Sequence, residues 1–337
     1  MIKNIFILGL LMIGLSSCFK EDDPIPPHQK SDVKQEIIPL TQYYVNQVYF
    51  NLSTGKQVST NNKNNFDLSF SCADTAFIIR LNTAKFMKAG ITESTDMTKV
   101  TDTTGLNWKF DKSDGNPDST AFVDWIKIDG FDTTCSNRVY VINRGFNEMG
   151  FTLGLKKIVF HNLKNGTYYF SWSNMDNSEM TEVTIKKNAG YNYIQYSFDN
   201  GGGIKQIEPE SDNWDLLFTQ YTTMLFTSEG DAYPYIVTGV LTNPGTLVAF
   251  DSTMVFDDIT IDDVLYLDYS QAADRIGYDW KELFGDINGG DYYYKTHSNY
   301  NYLIRTRKKI LYKLKFTGFY DPDTGEKGYP AFEYQRL

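Results

Sequence analysis

The sequence predicts an all-β protein built from antiparallel sheets, with two related β-rich repeats and few short helices. Short runs of alternating, β-branched or aromatic residues recur along the chain, with Gly, Asn and Asp between them. Such runs lie at 76–81, 138–142, 168–172, 235–241 and 300–305. Long stretches with helical periodicity are missing, and one residue pattern occurs twice, so we expect two copies of one β unit.

The repeat is clearest in two six-residue segments, 65–70 and 213–218. The first is Asn-Phe-Asp-Leu-Ser-Phe and the second is Asn-Trp-Asp-Leu-Leu-Phe, 148 positions later. Asn and Asp favour a local turn and the apolar residues after them begin a strand, so each segment is predicted to be a turn that enters a strand. The same offset joins Tyr43 with Tyr191, Gln47 with Gln195, Phe50 with Phe198 and Gly55 with Gly203.

The repeat predicts a division of the chain into two domains. A further matching pair of strands, 157–160 and 313–316, is 156 positions apart, as expected where loops have gained residues. We therefore place a diverged N-terminal β repeat at 40–187 and a second β domain at 188–337.

The strand at 310–319 alternates between apolar and polar residues. Lys313, Lys315 and Thr317 share one face, and the apolar side chains share the other. This alternation predicts one buried face and one solvated face, as in an antiparallel sheet. His161 aligns with Thr317, so we expect it to be exposed at the surface of the first repeat.

The N-terminus has the features of a secretory signal. Lys3 precedes an apolar run that is too short to cross a bilayer, so residues 1–17 are predicted to be a signal peptide. Leu-Ser-Ser-Cys at 15–18 resembles a bacterial lipobox, which implies lipidation of Cys18 and a lipid anchor in the outer membrane. An ordinary signal peptide with a chance cysteine is the alternative.

The segment after Cys18 is predicted to be a disordered tether, residues 18–39. Three prolines between positions 24 and 27 favour extended backbone. The acidic run at 20–23 resembles the surface-export signal of some Gram-negative lipoproteins, which implies that the protein faces the cell surface. A solvated linker explains the same run without export.

Composition excludes some functions and leaves others open. The net charge of −10 argues against nucleic acid, because affinity for phosphates depends on Lys and Arg. Cys72 and Cys135 would lie in a compartment that permits disulfides, so they could form a bridge or remain free.

Catalytic and metal-binding patterns are sparse. The chain has three histidines, at 28, 161 and 297, and it contains neither HExxH nor GxSxG. Close carboxylate pairs arise by chance among 42 acidic residues, so they are weak support for a hydrolase. We therefore predict no catalytic residues, no metal site and no enzymatic activity.

His297 lies in the most aromatic segment of the chain, with Tyr292, Tyr293, Tyr294 and Tyr300. Tyrosines in such a loop can form one wall of a site for a flat apolar ligand, to which a histidine adds one directed bond. A loop packed on its own aromatic residues is the competing interpretation.

Five segments of the C-terminal half carry a family resemblance, namely 213–218, 235–238, 302–306, 312–316 and 328–334. Through these segments, the stretch from about residue 190 to 337 resembles the HmuY-type haemophore family. The resemblance implies an all-β surface lipoprotein that captures haem without catalysis and delivers it to an outer-membrane receptor. It covers a little under half of the chain well, with the first repeat as a diverged relative.

In that family two axial side chains, His or Met, hold the haem iron. The resemblance implies that they lie between the Trp-Asp strand and the final hairpin, where the candidates here are Met224, Met254 and His297. We favour Met254 with His297, since a thioether and an imidazole both ligate haem iron. The tyrosines at 292, 293, 294 and 300 are the candidate pocket wall. The alternative is a β-repeat lipoprotein that binds a surface glycan or a protein partner and has no role in haem binding.

Overall fold

The computed structural model describes residues 31–129, 132–286 and 289–337. The predicted signal peptide, the lipidation site Cys18 and the tether up to residue 30 lie outside the described residues. Within the described part, no helix has the length and apolarity needed to cross a membrane.

The described residues form 22 strands, which confirms the predicted all-β class. The strands of the first half are β1 (Lys34–Ile37), β2 (Asn46–Asn51), β3 (Lys56–Asn62), β4 (Leu68–Ser71), β5 (Ile79–Leu81), β6 (Lys88–Ile91), β7 (Ile126–Asp129), β8 (Asp132–Cys135), β9 (Val139–Asn143), β10 (Leu155–Lys164), β11 (Thr167–Ser173) and β12 (Thr181–Lys186). The strands of the second half are β13 (Tyr193–Ser197), β14 (Gly203–Lys205), β15 (Leu216–Phe226), β16 (Ala232–Thr242), β17 (Leu247–Asp251), β18 (Lys281–Asp286), β19 (Asp291–Thr296), β20 (Asn301–Arg305), β21 (Leu311–Tyr320) and β22 (Lys327–Arg336).

Helices in the described residues are short. The one α-helix is α1 (Ile261–Val264), and the 3-10 helices are Thr83–Lys85, Met97–Lys99, Pro117–Ser119, Val123–Trp125, Asp199–Gly201 and Phe256–Asp258. Most of the other positions between strands lie in turns and loops, as the frequent Gly, Asn and Asp residues predict.

Four larger sheets and two hairpins contain these strands. Two five-stranded sheets have the orders β1-β22-β21-β20-β17 and β12-β11-β10-β9-β6, and two four-stranded sheets have the orders β14-β13-β4-β5 and β16-β15-β2-β3. The strand pairs β18–β19 and β7–β8 form separate two-stranded hairpins.

The two repeats exchange their first hairpins. Hairpin β2–β3 of the first repeat pairs with β15 of the second, with Phe50 opposite Leu216. Hairpin β13–β14 of the second repeat pairs with β4 of the first, with Tyr196 opposite Leu68. Each four-stranded sheet therefore contains strands from both repeats.

The two main hydrophobic cores follow this exchange. One core draws its buried residues from 38–52 and 216–334, and the other draws them from 68–198. The boundary between 187 and 188 stays a prediction about the sequence repeat. The two cores group the described residues differently, because each exchanged hairpin packs with the other repeat.

The Asp of the repeated Asn-aromatic-Asp motif accepts a hydrogen bond from each exchanged hairpin. Asp67 accepts a hydrogen bond from the backbone N–H of Phe198 at 2.7 Å, and Asp215 accepts one from the N–H of Leu52 at 2.8 Å. In both cases the donor belongs to the hairpin of the other repeat. The polar residues that suggested a local turn therefore also make the contact between repeats.

A pair of asparagines repeats in the same way. The Asn82 side-chain amide donates to the carbonyls of Lys63 and Phe66, and the Asn243 amide donates to the carbonyls of Ser211 and Trp214. The acceptors are 148 positions apart, whereas the two asparagines are 161 positions apart. Buried carbonyls near the motif are thus satisfied identically in both repeats.

Lys313 is buried, so the prediction of a solvated face was wrong at this position. Its Nζ donates to the carbonyls of Phe256 and Ile259, around the 3-10 helix Phe256–Asp258. Lys157 is equally buried and donates to the carbonyls of Met97 and Val100, each at 2.9 Å. A distant 3-10 helix therefore covers this one lysine of the strand in each repeat.

Two further expectations differ from the structure. Residues 34–37 form β1 and pair with β22, so the tether ends earlier than position 39. This pairing covers the backbone groups of β22, which would otherwise form a free sheet edge. Cys72 and Cys135 are free thiols, so the structure does not contain the bridge that the sequence allowed.

Candidate functional site

The hairpin β15–β16 extends beyond its neighbouring strand. Strand β2 pairs only with residues 216–218 of β15, while β15 and β16 stay paired out to Phe226 and Ala232. Because side chains alternate along a strand, the projecting part has two faces. Met224 and Phe226 lie on one face, and Tyr233 and Tyr235 lie on the other.

The first face borders a cavity of about 720 Å³, here called the methionine groove. Its apolar lining includes Trp108, Phe110, Val123, Met224 and Phe226. Met224 is 38% exposed and Phe226 is 69% exposed, so both present apolar surface to solvent.

Residues of the first repeat form the opposite wall of the methionine groove. Lys88 Nζ lies 5.2 Å from the ring centroid of Trp108, and the rings of Phe86 and Phe110 pack at 5.0 Å. Ser113 Oγ donates to Asp274 Oδ2 at 2.5 Å, which ties this wall to the second repeat. The aromatic wall is therefore held in place from both sides.

The second face borders an aromatic surface, here called the tyrosine face. Its residues are Tyr233 and Tyr235 of β16, Tyr292 and Tyr294 of β19, Tyr320 of β21, and Tyr44. Burial, followed by the neighbouring hydroxyls of Tyr294 and Tyr292, raises the pKa of Tyr44. The backbone N–H of Tyr294 donates to Tyr320 Oη at 2.6 Å.

A half-buried lysine lies beneath the tyrosine face. Lys281 Nζ donates to the carbonyl of Thr238 at 2.6 Å and lies 4.2 Å from the ring centroid of Trp280. Burial lowers the pKa of Lys281 to about 7, against a smaller opposing effect of Asp279. This amine connects hairpin β18–β19 with hairpin β15–β16.

The four tyrosines predicted as a pocket wall do not share one surface. Tyr292 and Tyr294 belong to the tyrosine face, but Tyr293 alternates to the outer side, where it stacks on Phe284. Tyr300 packs edge-on against Phe250 at 4.8 Å.

Met254 is half-buried and packs in a small apolar cluster. The buried members of that cluster are Ala249, Ile259, Val264, Leu303 and Leu337. The carbonyl of Met254 accepts a hydrogen bond from Asn301 Nδ2 at 2.8 Å. Its thioether therefore contributes to packing.

The structure does not bring Met254 and His297 together. The His297 ring stacks on Tyr300 at 4.4 Å, and Tyr300 contacts Phe250. Met254 instead packs against the cluster that contains Ala249, the neighbour of Phe250 along β17. Successive residues of a strand point to opposite faces, so the two side chains lie on opposite sides of this sheet.

His161 is exposed at the surface, as predicted. Its Nε2 lies 2.7 Å from Ser171 Oγ. In the described residues, no group of three or more His, Cys, Asp or Glu side chains is placed to hold a metal ion.

A second cavity of about 620 Å³, here called the inter-sheet cavity, lies between the two four-stranded sheets. Buried polar residues from both sheets line it, including Gln47, Ser69, Gln195 and Glu208. Glu208 accepts a hydrogen bond from Asn192 Nδ2 at 2.6 Å. Burial raises the pKa of Glu208 to about 7, although hydrogen bonds from Asn192 oppose this.

Glu208→Gln is expected to stabilise the protein more at pH 8 than at pH 5. The carboxyl binds its proton more tightly in the folded state than in the unfolded state, where its pKa is about 4.3. The wild type therefore loses stability as the pH rises from the unfolded pKa of about 4.3 through the folded pKa of about 7, and the glutamine variant does not. Urea denaturation at both pH values measures the difference. Glu182→Gln, at an exposed position, is the control and should show no such trend.

Sequence reasoning identified Met224 but missed the aromatic residues around it. Trp108 and Phe110 belong to the first repeat, 116 and 114 positions before Met224, and local patterns do not indicate that they meet it. A usable signal was Phe226, which occupies the same strand face as Met224 two residues later.

Both repeats of the chain match one known protein family. The model of the family described as HmuY protein matches residues 43–334. The apo form of PinO from Porphyromonas gingivitis is 10% identical, with a TM-score of 0.33, and covers 91% of this chain and 99% of its own. The apo HmuY analogue of Tannerella forsythia is 12% identical, with a TM-score of 0.26, and covers 92% and 99%. A search of curated proteins finds no match. Because the family match spans both repeats, this chain belongs to the HmuY family.

Proposed function

We propose that this chain binds haem without catalysis and delivers it to an outer-membrane receptor. In this proposal the chain is anchored in the outer membrane through a lipid on Cys18 and faces the cell surface. Membership of the HmuY family and the lipobox-like segment support it. Within the fold, the observation that carries it is the exposed Met224 thioether in a groove with aromatic walls.

The methionine groove suits a flat macrocycle in size and chemistry. Its volume of about 720 Å³ falls within the usual range for small-molecule sites. The rings of Trp108, Phe110 and Phe226 offer apolar faces, and a methionine thioether is a competent axial ligand for haem iron. Lys112, which also lines the groove, is a cation available to a propionate, whereas Lys109 in the same lining pairs with Asp124 at 3.3 Å.

Met224 is the axial ligand that the geometry favours. Met254 is used in packing and His297 is stacked on Tyr300, so each would have to leave its present contacts to reach iron. Both remain candidates for the second axial position in our proposal. The tyrosine face is the alternative location, and the same experiment separates it from the methionine groove.

Met224→Ala is expected to weaken haem binding at least tenfold. The whole chain is titrated with haemin, oxidised and reduced, and the Soret band is followed. Removal of the thioether should shift the band toward that of a weakly ligated haem, because the iron loses its soft ligand. Met180→Ala removes an exposed methionine outside the groove and should leave the titration unchanged.

Other outcomes assign the site differently. The lack of a sharpened Soret band at stoichiometric haemin would disprove haem binding. A band that survives Met224→Ala but is lost in Met254→Ala or His297→Ala would place the ligand there. Loss of the band only in Tyr235→Phe or Tyr294→Phe would assign haem to the tyrosine face.

A further inference from the structure

The inter-sheet cavity has a character unlike that of the methionine groove. It is about 620 Å³ in volume and adjoins that groove at residues 111–114. Gln47 and Gln195, which are equivalent in the sequence repeat, line it from the two different four-stranded sheets. The exchange of hairpins therefore creates this cavity, and both repeats contribute equivalent amides to it.

Its buried amides have hydrogen-bonding capacity to spare. Gln47 is 3% exposed and donates from Nε2 to Asn61 Oδ1 at 2.7 Å, but its side-chain oxygen has no partner among the described residues. Gln195 is 4% exposed and donates to Glu208 at 3.4 Å, and its oxygen likewise has no described partner. Buried polar groups normally find partners, so these oxygens are placed to meet water or a guest molecule.

A buried indole adds an unused donor. Trp214 lines the cavity and is 5% exposed, and its Nε1 makes no hydrogen bond of normal geometry with the described residues, although Glu208 lies near it. The cavity therefore offers a donor as well as acceptors, on side chains that are at most 5% exposed.

The charges in the cavity lining disfavour an anion. Glu208 has no ion-pair partner among the described residues, and Asp111 and Asp114 also line the space. Arg80 and Lys112 lie along the same lining, so a strongly cationic guest is disfavoured too. A neutral molecule that both donates and accepts hydrogen bonds fits this balance.

Aromatic surface completes the lining. The rings of Phe66 and Tyr193 are half-buried and border the cavity. Apolar C–H faces pack well on such rings, while hydroxyl groups suit amides and carboxylates. Saccharides combine both properties in one molecule.

We propose that the inter-sheet cavity binds a neutral mono- or disaccharide. Its hydroxyl groups would be held by Gln47, Gln195, Glu208 and Trp214, and its ring would pack against Phe66 or Tyr193. This site adjoins the proposed haem site at residues 111–114, but the residues proposed to hold the saccharide lie outside that shared segment, so it does not depend on haem binding. It gives the chain a second, carbohydrate-binding function on the surface of the cell.

Calorimetric titration of the whole chain with defined probes tests the proposal. The neutral probes are maltose, lactose, cellobiose, mannose and N-acetylglucosamine, and spermidine and citrate represent cations and anions. We expect saturable binding of at least one neutral probe. Gln47→Leu and Gln195→Leu should each weaken it at least tenfold, because each places an apolar group where a hydroxyl is recognised.

Controls separate this site from folding and from haem. Gln35→Leu changes an exposed glutamine outside the cavity and should leave saccharide affinity unchanged. Each cavity variant should keep the wild-type circular dichroism and haemin titration. The proposal is overturned if no neutral probe binds, if only spermidine or citrate binds, or if the cavity variants leave saccharide affinity unaltered. Loss of haem binding alone would contradict the proposed function and leave this site standing.

Discussion

Asp67→Asn is expected to lower the free energy of unfolding by about 3–5 kcal/mol at pH 7. Asp67 is fully buried and pairs with two cations, Lys85 at 2.5 Å and Arg144 at 2.9 Å. Removing the carboxylate charge would leave both cations buried without their main counter-ion. Urea denaturation followed by circular dichroism measures the change.

Asp215→Asn is the matched control for this prediction. Asp215 occupies the same place in the second motif, but its carboxylate accepts a single described hydrogen bond, from the N–H of Leu52. An asparagine oxygen can still accept that bond, so we expect a loss of about 1 kcal/mol or less. Equal losses in the two variants would contradict the role assigned to Lys85 and Arg144.

The contribution of Asp67 should also depend on pH. Burial alone would raise its pKa, but Lys85 and Arg144 outweigh burial and hold the pKa below its usual range. Its stabilisation is therefore complete above the unfolded pKa of about 3.9 and is lost as the pH falls through the lower folded value. The stability difference between wild type and Asp67→Asn should shrink below about pH 4.

Lys157→Met is expected to cost about 3 kcal/mol of stability, with a similar loss for Lys313→Met. Lys157 is fully buried, and its Nζ, with three N–H donors, lies within hydrogen-bonding distance of three carbonyls and the side-chain oxygen of Asn177. A methionine fills much of the same volume but leaves these acceptors without a donor. Thermal and urea denaturation of both variants measure the loss.

Lys164→Met provides the control for the two lysine variants. It lies exposed at the end of the same strand, β10, and should change stability by no more than about 0.5 kcal/mol. If Lys157→Met and Lys313→Met also stay within that range, the carbonyl-capping role is wrong. A loss in only one of them would show that the repeats use this lysine differently.

The candidate site was only partly predictable. The chemistry of Met224 and its place between the motif and the final hairpin make it a candidate ligand from the sequence, but the sequence prediction favours Met254 with His297. The preferred pair fails to meet because Met254 packs against the cluster that contains Ala249 while His297 stacks on Tyr300 against Phe250. Ala249 and Phe250 are successive residues of β17 and point to opposite faces of the sheet, so Met254 and His297 are kept apart. The sequence does not specify which face each loop covers.

Lys313 shows a second limit of pattern reading. A lysine that alternates with apolar residues normally indicates a solvated face, and Lys315 and Thr317 on the same face are partly or fully exposed. Lys313 differs because a 3-10 helix more than 50 positions earlier supplies carbonyls directly above it. Such a contact depends on tertiary packing and leaves no local signature.

The sequence by itself determined the all-β class, the existence of two related repeats and the family resemblance, because strand alternation and turn residues act over a few positions. Only the tertiary structure decided that hairpins β2–β3 and β13–β14 are exchanged between repeats. The two hairpins carry equivalent patterns, so pairing within a repeat and pairing across repeats satisfy the same local rules. The exchange brings Trp108 opposite Met224 and creates the inter-sheet cavity, and it is selected by long-range contacts such as those of Asp67 and Asp215.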